Sequence, residues 1–83
     1  MTDGRAEVIE ALAERVGTRP LTTAEIESVL ALAAVAAHGT SDRTTAPLAS
    51  FLAGIAAART EDRNALLDEL RRHVAELCDA PGE

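Results

Sequence analysis

Apolar residues recur along this chain at helical spacing, and strand-forming residues are scarce. Ile9, Leu12, Ala13 and Val16 stand at i, i+3, i+4 and i+7, one face of a helix predicted over residues 5–16. Asp3 is placed to cap it. Gly17 follows where a left-handed C-terminal residue is favoured. Pro20 disfavours helix at Arg19, so residues 18–20 read as a short link.

The second helix has the sharpest start. Thr22 and Glu25 have the spacing of a capping box, and Leu21 and Ile26 stand at the positions of a hydrophobic staple. The helix is predicted over 23–38 with its stop at Gly39. From Val29 to Ala37 it is apolar on every side, which marks a central helix packed around by others or by a second subunit.

A third helix is predicted over 46–59, capped by Thr44 or Thr45, with Pro47 tolerated in its first turn. Leu48, Phe51, Leu52 and Ile55 form its apolar stripe. Ala49, Ala53, Gly54 and Ala57, with Ala56, form a second surface of small residues. A glycine inside a helix costs about 1 kcal/mol relative to alanine, so Gly54 is expected where another backbone comes close. The fourth helix is predicted over 61–78, capped by Thr60, with Glu61 and Asp62 in its first turn to suit the dipole. Leu67, Leu70, Val74 and Leu77 carry its period, and residues 79–83 read as a frayed tail. The pattern predicts an all-α fold: one domain over 1–83, a small antiparallel bundle of about four helices.

Length sharpens this picture. An 83-residue chain supports a single, marginal core. Scaffolds of this size usually lean on disulfides, a metal or a partner subunit. Cys78 is the only cysteine, so no intrachain disulfide forms. A lone thiol fits a reducing compartment, and the first residues lack a basic-then-apolar leader pattern. The expectation is a soluble cytoplasmic protein. The net charge of −6 argues against phosphate backbones and anionic membranes, and a single Phe with no Trp or Tyr removes base-stacking platforms. No nucleic-acid or membrane partner is expected.

Candidate chemistry is thin. His38 and His73 are the only histidines, and no His/Cys/Asp/Glu cluster has metal-ligand spacing. No metal or cofactor is expected. His38 sits where a helix C-terminal dipole favours it, and His73 reads as a solvated helix residue. Cys78 lies beside Glu76 and Asp79, which blunt a thiolate, so it reads as a small half-buried residue. No glycine-rich phosphate loop is present. The loop holding His38, Asp42 and Arg43 is the one candidate ligand site, with Arg43 able to hold an anion and His38 to act as acid or base. Its simpler reading is a stop, a turn and a cap between two antiparallel helices, with His38 bonded to the loop or to Asp42. No catalytic residue is assigned, and the chain reads as non-catalytic.

Ala37-His38, Asp42-Arg43, Ala46-Pro47-Leu48, Phe51-Leu52 and Gly54-Ile55-Ala56-Ala57 together resemble a small bacterial helical domain of unknown function. That domain occurs alone or appended to molybdenum cofactor guanylyltransferase proteins. The likeness covers roughly residues 21–58 and includes no known catalytic signature. It implies association with molybdenum cofactor biosynthesis, without transferase activity, for which the chain has no room. The sequence thus points to an interaction or accessory domain. It would act by self-association as a dimer, or by binding a protein partner in that pathway. Ala49, Ala53, Gly54 and Ala57 are the expected interface. The alternative is an anionic-ligand or catalytic site at His38–Arg43.

Overall fold

The computed structural model describes residues 4–79. Asp3, the expected cap of the first helix, and the tail from residue 80 lie outside the described residues. The described residues form four helices: α1 Gly4–Val16, α2 Thr23–Thr40, α3 Thr45–Ala57 and α4 Arg63–Asp79.

Local chemistry sets the ends. Gly17 takes the left-handed conformation, φ 79°, and closes α1, with the Thr18 N–H donating to Ala13 O at 3.0 Å. At α2 the capping box is complete: Thr22 Oγ1 accepts from Glu25 N–H, and Glu25 Oε1 accepts from Thr22 N–H at 2.8 Å. The far end of α2 departs from the expected stop. The helix passes through Gly39 to Thr40, and Ser41 takes the left-handed turn at φ 57°. Gly39 serves packing instead, because a Cβ there would fall on Cβ and Sγ of Cys78 in α4. The glycine lets α4 lie against α2. Gly54, expected at such an approach, faces open space within the chain.

Helices α2, α3 and α4 form the packed unit, with α2 at its centre. From α2 the chain reverses direction into α3 and again into α4, which leaves α2 and α4 parallel. Accordingly Glu25 meets Arg63, Ser28 meets Asn64, and Gly39 meets Cys78. The core is small: Leu32, Ala53, Ala57 and Leu67, with Val29, Ala49, Leu66, Leu70 and Val74 packed around them. Among the described residues, Leu32 is the one large side chain with under 2% exposure.

Helix α1 stands apart. None of its Cα atoms comes within 8 Å of another helix. An apolar cleft of about 180 Å³ separates it from α2, lined by Ala6, Ile9, Leu21, Ile26, Val29 and Leu30. The staple pair Leu21 and Ile26 share this cleft. The molecule is therefore a slab, 44 × 31 × 18 Å. It exposes 6210 Å², against roughly 4,700 Å² for a compact monomer of this mass.

Candidate functional site

The loop from His38 to Thr44 is held by its own polar groups. The Thr40 hydroxyl donates to Ala36 O at 2.8 Å, and Asp42 N–H donates to Ala37 O at 3.2 Å. The Asp42 carboxylate accepts from the Thr44 N–H at 2.9 Å and from the Thr44 hydroxyl at 2.6 Å. The hydroxyl bond, then the N–H bond, hold its pKa below the ordinary carboxylate value. Asp42 thus organises the entry to α3. Thr44 stands at the N-cap position without a side-chain capping bond, because its hydroxyl is turned to Asp42.

His38, Asp42 and Arg43 do share one surface depression, open to solvent and floored by Ala37 and Ser41. The expected bond from the His38 side chain to the loop or to Asp42 is not formed. Among the described residues, neither the His38 nor the Arg43 side chain makes a hydrogen bond or ion pair; their carbonyls are engaged, His38 O by the Ser41 N–H and Arg43 O by the Ala46 N–H. An exposed His and an exposed Arg in an open depression neither exclude water nor converge on a point, as a ligand pocket requires. Among the described residues no group of three His, Cys, Asp or Glu side chains could hold a metal ion.

Helix α3 carries the more distinctive surface. Its thirteen residues include no charge. Ala53 and Ala57 are buried in the chain's own core, and Ala49 packs against that core. Of the four residues expected at an interface with another molecule, only Gly54 is exposed. The physical reason is proximity: alanines at every fourth position let α3 settle closely on α2 and α4. The large side chains are left outside. Leu48 is 66% exposed, Phe51 70%, Leu52 67% and Ile55 43%. Because α3 is apolar all round, its periodicity could not say which face turns inward.

A buried ionic cluster sits at the opposite end of α2, and sequence reasoning saw only half of it. Glu25, recognised as a capping residue, also receives Arg63 from α4 and Arg19 from the α1–α2 link. Its carboxyl is held down to about 2, first by the Arg63 hydrogen bond, against the opposing effect of burial, with the Thr22 N–H and the two cationic charges adding to the shift. The cluster is saturated: no buried side-chain polar atom among the described residues lacks a partner. It ties three elements together, and its buried groups are all engaged within the chain.

Over residues 3–83 the sequence matches the family model described as Domain of unknown function (DUF6457). The chain belongs to this family. No curated protein and no solved structure matches it. The family assignment covers all four helices and carries no activity with it. No described helix is long and apolar enough to cross a membrane.

Proposed function

We propose that this domain is a non-catalytic interaction module and that the outer face of α3 is its binding surface. One observation carries the reading: Leu48, Phe51, Leu52 and Ile55 stand exposed, side by side, on a helix without a charge. Single exposed apolar residues are ordinary, but a contiguous patch of large ones marks an association site. The small core agrees with this, since a chain with so little buried surface gains most from covering more of it. The sequence resemblance alone supports the finer proposal that the module serves molybdenum cofactor biosynthesis as an accessory to a protein of that pathway.

The test is affinity isolation from the organism's own cells, comparing the wild-type chain with a Phe51→Glu/Leu52→Glu variant. The wild type should retain a second polypeptide, a copy of itself or another protein, that the variant loses with its helicity unchanged. A wild-type chain that retains no other protein and also stays monomeric up to millimolar concentration would sink the reading.

A further inference from the structure

We infer that the partner on this face is a second copy of the chain, docked with its α3 antiparallel to the first. The inference rests on the interaction reading above and adds the occupant and its orientation.

The spacing of the exposed side chains is the first argument. Positions 48, 51, 52 and 55 are separated by three, one and three residues. A two-fold axis between 51 and 52 returns the same set in reverse order. Leu48 then lies against Ile55 of the second copy, and Phe51 against Leu52 of the second copy. Such self-complementarity is what an isologous contact requires.

Charge is the second. The chain carries a net charge of −6, so two copies repel over most of their surfaces. Helix α3 has no charge along its length, so two copies oppose no like charges along the helix itself, with the exposed Arg43 and Arg59 lying just beyond its two ends. A basic partner would find no acid on this helix to pair with. Antiparallel docking also sets the positive N-terminal end of each α3 beside the negative C-terminal end of the other.

Area is the third. Phe51, at 70% exposure, offers roughly 100–175 Å². The four side chains together offer on the order of 400–500 Å² per copy, or just under about 1,000 Å² for a pair. That is the size of a reversible contact. The chain should pass from monomer to dimer as its concentration rises from micromolar to millimolar.

Disulfide trapping tests the geometry. In a Cys78→Ser background, one chain carries Leu48→Cys and another Ile55→Cys, both at exposed positions. Mixed and mildly oxidised, the two should cross-link to each other far more than either does to itself. Sedimentation equilibrium of the unmodified chain should show the dimer, and Phe51→Glu should weaken it by about 30-fold or more while circular dichroism stays unchanged. Self-cross-linking of each variant alone would mean parallel docking and overturn the orientation. A monomer at all concentrations, with no cross-link, would overturn the second copy as occupant. The interaction reading would then be decided separately by the isolation experiment above.

Discussion

Glu25 and Arg63 meet side-on, with Arg63 Nε 3.0 Å from Glu25 Oε2 and Arg63 Nη2 2.8 Å from Glu25 Oε1. Glu25 lies in the first turn of α2, Arg63 opens α4, and Arg19 adds a third contact at 3.2 Å. The Glu25 side chain is 3% exposed. Removing either partner strands a buried charge or its donors, a loss of about 3 kcal/mol. Glu25→Gln or Arg63→Met should therefore lower the midpoint of thermal unfolding by on the order of 15 °C. Glu25→Met with Arg63→Met should recover part of that loss, because no buried charge is left unpaired and the half-exposed Arg19 is solvated. A Glu25→Gln melt overlaying the wild type would show that the cluster contributes nothing.

The same carboxylate sets an acid response. Its pKa in the fold, about 2, lies below the ordinary value of 4.5. A depressed pKa contributes stability that is complete above the unfolded value and is lost as pH falls through the folded one. Stability to urea should thus be level from neutral pH down to about 4.5 and decline from there to about 2, by roughly 3 kcal/mol in all. In Glu25→Gln most of that slope should vanish. Asp42 and Asp68 are also held low, by Thr44 and by Arg71 respectively, but both are solvent-screened and leave only a residual slope. An equal slope in variant and wild type would assign the acid response elsewhere.

What was legible in the sequence divides by the range of the interaction. The Thr22–Glu25 box and the left-handed Gly17 are local, set within a few residues, and both are found as read. The four helices follow from periodicity. The inward face of α3 was not legible, because every side of that helix is apolar and only packing against α2 and α4 chooses between alanines and large residues. Nor was the Arg63 contact to Glu25, which spans 38 positions and depends on α2 and α4 running parallel. At the candidate loop, the sequence placed His38, Asp42 and Arg43 together, and the structure does put them around one depression. It could not choose between the Asp42–Thr44 contact, which an aspartate in a turn favours with the residue two positions on, and the bond from His38 to Asp42, which is not formed.

The two helical glycines of the packed unit should respond in opposite directions. Gly54→Ala adds a methyl group into open space and should raise the stability of the monomer by about 0.5–1 kcal/mol through helix propensity. Gly39→Ala has the same propensity gain but drives its Cβ into Cβ and Sγ of Cys78. The helices must part, so the variant should lose about 1–3 kcal/mol. Urea titrations of both, with equal slopes, check this. If Gly39→Ala stabilised the fold as Gly54→Ala does, α4 would not lie against α2 as described.

The last expectation separates a core from a binding face by stability alone. Leu32 is 1% exposed at the centre of α2, and Phe51 is 70% exposed on α3. By residue type the phenylalanine carries more apolar surface, so a reading from composition would rank it as the costlier loss. Burial reverses that order. Leu32→Ala removes buried methyl groups and leaves a cavity, at a cost of about 2–5 kcal/mol. Phe51→Ser, measured at low micromolar concentration where the chain is monomeric, removes surface that water already touches and should change stability by no more than about 0.5 kcal/mol. At high concentration the gap should narrow from the other side, because the wild type gains stability by mass action that the Phe51 variant lacks. A large loss for Phe51→Ser at low concentration would place that side chain in the monomer's own core and remove the basis for a binding face on α3.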